Sequence, residues 1–155
     1  MSEATPDAGS QPEPVDAIAH QHLCWGWTLL LIFALLGMAL EALHGFKIGW
    51  YLDVGNEARR LMFRLGHAHG TLLGLLNLGL AFSVTRLPAQ SARSRMVASR
   101  GLRIASVLMP GGFAAGGLVV HGGDPGLGVA LVPVGALALV VALVAMVLGT
   151  RSRAA

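Results

Sequence analysis

Four near-continuous apolar runs, Leu23–Leu43, Leu65–Val84, Leu102–Val120 and Leu127–Leu148, constrain this chain more than any other feature. Each is long enough to cross a hydrocarbon core of about 30 Å as a helix. Together they occupy most of the 155 residues and leave no room for a soluble domain. With 54% of residues hydrophobic and 12% charged, a soluble domain would lack the polar surface to cover itself. The expected fold is therefore all-α, a four-helix transmembrane bundle over residues 23–150.

The flanks are different material. Residues 1–22 are acidic and proline-bearing, without an apolar run, and read as a disordered tail; 151–155 read as a short basic tail. The start lacks the basic region, short apolar core and cleavage site of a secretory signal, so the first run is expected to act as an uncleaved signal anchor. Cys24 is the only cysteine, which excludes an internal disulfide. Arginine supplies all but one of the 11 basic residues. These charges sit between and after apolar runs with no basic-plus-aromatic patch, which excludes a nucleic-acid partner and leaves the lipid bilayer as the default one.

Loop charge sets the expected threading. Arg86, Arg93, Arg95, Arg100 and Arg103 follow the second run, and Arg151 and Arg153 follow the fourth. Lys47, Arg59, Arg60 and Arg64 lie between the first two runs, so seven basic residues oppose four. Both termini are expected inside, in what would be the inner (plasma) membrane of a bacterium. Trp50 and Tyr51 suit an interfacial position, and Asn56-Glu57 reads as an N-cap and acidic first turn.

Under either orientation, Glu41, His44, His67, His69 and His121 lie near one membrane face, each at or within about two turns of a helix end. Titratable groups in a membrane are costly, and several at one depth read as a site. Helical period strengthens this. Gly37, Glu41 and His44 share a stripe, as do His67, Gly70 and Gly74; Gly112 pairs with Gly116, and Gly117 lies four residues from His121. Small residues mark faces where membrane helices approach closely. The polar residues of the first three helices are thus expected to converge on one pocket, with the fourth helix closing the bundle.

Each residue also has a structural reading. Glu41-x-x-His44 matches the spacing of metal-carboxylate bundles, but a helix-end histidine also bonds the last carbonyls. His67 and His69 point about 200° apart, so only His67 shares the glycine face. Arg60, Arg64 and His67 form a line that would suit a haem with propionates in the headgroup layer, or simply lipid phosphate. His121-Gly-Gly-Asp124 is first a helix stop and turn, with Asp124 able to orient His121 as a ligand. Asn77 reads as an interhelical hydrogen-bonding residue. Pro110 is expected to kink its helix. His20-x-His22-x-Cys24 resembles a soft-metal set, but is expected to lie in a mobile tail at the opposite face.

The stretch Arg64-Leu-Gly-His67-Ala-His69-Gly-Thr-Leu-Leu-Gly74 resembles the histidine-bearing helices of heme–copper-oxidase-like membrane proteins. The rest of the chain departs from that pattern, with four spans and no paired histidines deep in a later helix. The resemblance implies a haem or metal ligand at His67 or His69.

Three function classes follow. The first is a redox or metal-handling protein with haem b, or an iron, copper or zinc ion, at Glu41, His44, His67, His69 and His121, assisted by Arg60 and Arg64. The second is an accessory subunit docking on a membrane-protein partner or a second copy of itself. The third is a small proton or solute transporter, against which no ionisable residue continues the path below the cluster. No nucleophile–base pair, phosphate loop or metalloprotease motif appears, which argues against a hydrolase.

Overall fold

A computed structural model describes residues 14–53, 55, 57–86 and 90–151, and these are overwhelmingly helical. The helices are α1 (Pro14–Gly45), α2 (Glu57–Arg86), α3 (Ala92–Leu118) and α4 (Leu131–Arg151). Between α3 and α4 lie a minimal hairpin, β1 (Val120–His121) on β2 (Asp124–Pro125), and one 3₁₀ turn at Leu127–Ala130. The hairpin turns through Gly122 and Gly123, whose φ values of 58° and 94° other residues rarely adopt.

Three helices begin earlier than their apolar runs, α2 as expected and α1 and α3 against expectation. α1 starts at Pro14, so the expected tail over 1–22 is helical from that point; residues 1–13 lie outside the described residues. Proline suits a first helical position, and Asp16 sits in the first turn, where a negative charge is favoured. Val15, Ile18 and Ala19 pack with Val84 and Ala98, which draws this polar-looking segment into the fold. α3 starts at Ala92, where the Ser91 hydroxyl accepts from the Ser94 amide at 3.1 Å. Arg93, Arg95, Arg100 and Arg103 are therefore helical residues and not a loop. Glu57 opens α2 as expected, whereas its expected cap, Asn56, lies outside the described residues. So do residues 152–155 of the expected basic tail.

Among the described residues, three segments, not four, are long and apolar enough to cross a membrane: Val15–Gly45, Glu57–Arg86 and Leu127–Thr150. α3 is the exception, because arginines fill its first half while Pro110 and four glycines dilute its second. The helix nevertheless runs unbroken through Pro110. Three apolar helices with large side chains such as Leu31, Met38, Phe82, Leu137 and Leu148 turned outward fit a small membrane protein.

The helices pack in chain order. Broad contacts join α1 to α2, α2 to α3, and α3 to α4, so the helical bundle is built as a row in which α4 joins α3 and does not close back on α1. Glycine explains the order. A methyl at Gly37 would come within 2.7 Å of the His67 ring, one at Gly70 would overlap Phe33, and Gly26 and Gly74 bring the α1 and α2 backbones together. The glycine face of α3 divides. Gly117 meets Met62 and Arg59 of α2, but Gly112 and Gly116 meet Leu131, Val132 and Val129 on the α4 side. The expected convergence of three glycine faces is thus replaced by two separate interfaces. An interior helix of a row needs small residues on both flanks.

Candidate functional site

Where α1 and α2 part, the chain leaves a cleft of about 780 Å³ lined by Gly37, Leu40, Glu41, His44, Tyr51, Arg60, Arg64 and His67. Five of the residues singled out in the sequence therefore share it: Glu41, His44, Arg60, Arg64 and His67. His69 and His121 do not line it. His69 turns toward α3, its ring centroid 4.8 Å from that of Phe113, and its Nδ1–H donates to the Leu65 carbonyl at 2.8 Å. His121 stands exposed on β1 opposite Asp124, because α3 has ended three residues before it. Among the described residues, no three His, Cys, Asp or Glu side chains form a group able to hold a metal ion. The five-residue ligand set expected from spacing is not assembled.

His67 has the most specific geometry in the cleft. Its Nδ1 lies 2.8 Å from the Phe33 carbonyl of α1. A carbonyl only accepts, so Nδ1 carries the proton, and in a neutral imidazole Nε2 keeps its lone pair. A backbone acceptor on one nitrogen is the usual way of orienting a histidine that ligates through the other. Gly37 makes the contact possible, since any side chain there would strike the ring.

The guanidinium groups around it are held differently. Arg60 donates to Glu57 at 2.9 Å, while Arg64 is exposed and has no carboxylate partner among the described residues. Arg59 turns away from the cleft. It donates to the Trp50 carbonyl at 2.8 Å and the Gly117 carbonyl at 3.3 Å, and lies 4.7 Å from the Trp50 ring centroid. This residue ties the α1–α2 connection to the end of α3. Tyr51 was expected at the interface, but is 3% exposed and forms a wall of the cleft.

At the other end of the row lies a polar node that spacing did not reveal. His22 is fully buried, with Nδ1 2.6 Å from Asn77 Oδ1 and Nε2 2.9 Å from Ser99 Oγ. Asn77 Nδ2 donates to the Leu73 carbonyl at 2.7 Å and to Ser106 Oγ at 2.9 Å, and Ser106 donates to the Leu102 carbonyl at 2.7 Å. With both amide protons committed, Asn77 Oδ1 must accept from His22 Nδ1–H, so Ser99 donates to Nε2. Each of these side chains is paired, and three helices are joined. Asn77 is interhelical as expected, but its histidine partner was assigned to a mobile tail. A signal was present: His22, Gly26, Leu29, Phe33 and Gly37 fall on one helical line, the face α1 turns to α2. An ionisable residue therefore does lie beyond the Glu41, His44 and His67 cluster, contrary to the sequence reading.

The chain matches no known family model, no curated protein and no solved structure.

Proposed function

We propose that this small membrane protein binds haem in the α1/α2 cleft, with His67 Nε2 as the iron ligand and Arg64, with Arg60, facing the propionates. The observation that carries this reading is the His67–Phe33 hydrogen bond, which leaves Nε2 as the lone-pair nitrogen of a residue lining an arginine-bearing cleft. Clefts of about 300–1,000 Å³ suit cofactors and small ligands. A bare ion would need three or four protein ligands, which the described residues do not bring together. Haem needs only one or two, and His44 on the opposing helix is the candidate for the second. Bound there, haem would supply one-electron chemistry; the chain would supply orientation and charge balance.

In this reading α3 crosses the bilayer with its neighbours, since its 27 residues run about 40 Å between α2 and α4. Both termini then lie inside and the cleft opens at the outer face of a bacterial plasma membrane. Absorption spectra of protein purified from membranes, before and after haem reconstitution, test the reading. A Soret band that His67→Ala abolishes and His121→Ala leaves intact is the expected result. A chain that stays colourless after reconstitution refutes it.

A further inference from the structure

A second groove opens between α1 and α3, at the arginine-rich end. Arg100, Arg103, Ile104, Val107 and Leu108 recur at i, i+3, i+4, i+7 and i+8, one stripe of α3. The His22–Ser99 hydrogen bond pins α1 to α3 beside it, but α1 otherwise packs on α2. The stripe is left uncovered, and with Trp25 of α1 it walls a groove of about 520 Å³.

Chemistry changes in order along this groove. Two guanidinium groups come first, and Ile104, Val107 and Leu108 follow toward the middle of the helix, the last about 12 Å from Arg100. Arg100 is exposed; Arg103 is half-buried, with its Nε enclosed and lacking a hydrogen-bond partner. The one ion pair among the described residues is Arg60–Glu57, so no carboxylate among them balances either arginine. Ile104 and Val107 remain about half-exposed, at 48% and 52%.

We propose that this groove is a binding site for an anionic phospholipid, its phosphate held by Arg100 and Arg103 and an acyl chain lying along Ile104, Val107 and Leu108 against Trp25. Charge complementarity selects the headgroup, because two adjacent arginines with no ion-pair partner among the described residues favour a phosphodiester without a balancing ammonium over a zwitterion. The apolar floor selects a lipid over a free anion, which would use the arginines alone. The site lies at the opposite end of the row from the haem cleft and is independent of it.

The full chain carrying Trp27→Phe and Trp50→Phe retains Trp25 as its only tryptophan. It is reconstituted into phosphatidylcholine vesicles containing a minority of brominated phosphatidylglycerol or, in a parallel sample, brominated phosphatidylcholine. The brominated anionic lipid should occupy the groove about tenfold more readily and quench Trp25 correspondingly more. Arg100→Gln with Arg103→Gln should abolish the difference, and Arg93→Gln should leave it. Equal quenching by the two lipids in the arginine-intact chain overturns the proposal without any arginine variant. A preference that survives the double glutamine change overturns it too, by placing the selectivity elsewhere. The double lysine variant keeps the charge and should keep the preference; loss there, in a chain whose helical circular dichroism is unchanged, would overturn the charge-based assignment. Inorganic phosphate, added at matched ionic strength, should not compete, and full competition would make this a free-anion site.

Discussion

The two ends of the helix row use the same residue types to opposite effect. At the arginine end, His22 is sealed: both ring nitrogens are paired, and its partners Asn77 and Ser99, with Ser106 behind Asn77, are fully or almost fully buried. At the other end, His67 has one nitrogen paired to a carbonyl and the other free of any hydrogen-bond partner among the described residues, in a cleft with Arg64 and an exposed Glu41. Buried polar groups that are fully satisfied fix one arrangement of helices. Half-satisfied groups beside open space leave capacity for a ligand. A histidine in a membrane helix is therefore a poor marker of function by itself. Whether an unused ring nitrogen belongs to a histidine that lines open space discriminates better.

The largest expected effect falls on the sealed end. His22→Ala removes a buried ring, leaves a cavity and orphans Asn77 Oδ1 and the Ser99 hydroxyl, for a combined cost of about 3 kcal/mol. Unfolding equilibria in mixed micelles measure it. A variant as stable as the parent would show that the node does not hold the helices, and the contrast between the two ends would fail.

The interface between the two regions gives the next effect. Gly70→Ala would drive a methyl into the Phe33 ring and push α1 from α2, at a cost of about 1–3 kcal/mol. It should also disturb the His67–Phe33 hydrogen bond one turn away. Gly79→Ala is the matched control, since a methyl there meets nothing within 4 Å. The control should be neutral or slightly stabilising, as alanine is the better helix former.

How much of this was readable from the sequence follows the same division. The apolar runs identified the all-α membrane class, and the glycine stripes of α1 and α2 marked a real interface. Spacing along each helix also placed Glu41 and His44 on the glycine face of α1 and His67 on that of α2, and the three line one cleft. It failed wherever the outcome depended on which helix stands beside which. Gly112 and Gly116 look alike whether they face α2 or α4, and only the row arrangement decides. His121 was misplaced because α3 ends at Leu118, so a hairpin and not a helix carries it. His22 was misread because hydropathy marks where apolar residues begin, whereas the helix had already begun at Pro14.

A third prediction tests the open end. His67→Ala should cost only about 1 kcal/mol, since one interhelical hydrogen bond in a membrane protein is worth about that or less. It should nevertheless remove all haem binding. The two ends then separate cleanly: His22 governs stability and His67 governs ligation. If His67→Ala were as destabilising as His22→Ala, the cleft histidine would be a packing residue.

The smallest effect is expected at His69, which has equal claim with His67 in the sequence motif but not in the structure. Its Nδ1–H donates to Leu65 within its own turn, and its ring packs on Phe113 across the α2–α3 interface. His69→Phe keeps an aromatic ring at Phe113 and gives up only the local hydrogen bond. The Leu65 carbonyl still receives the α-helical bond from the residue 69 amide, so no buried acceptor is orphaned. The change in stability should stay within about 0.5 kcal/mol, and any Soret band should keep its position and intensity. Loss of the band in this variant, with α2 still folded, would make His69 part of the ligand machinery despite facing away from the cleft. The motif would then act as a pair, and an unused nitrogen lining a cleft would no longer separate functional from structural histidines.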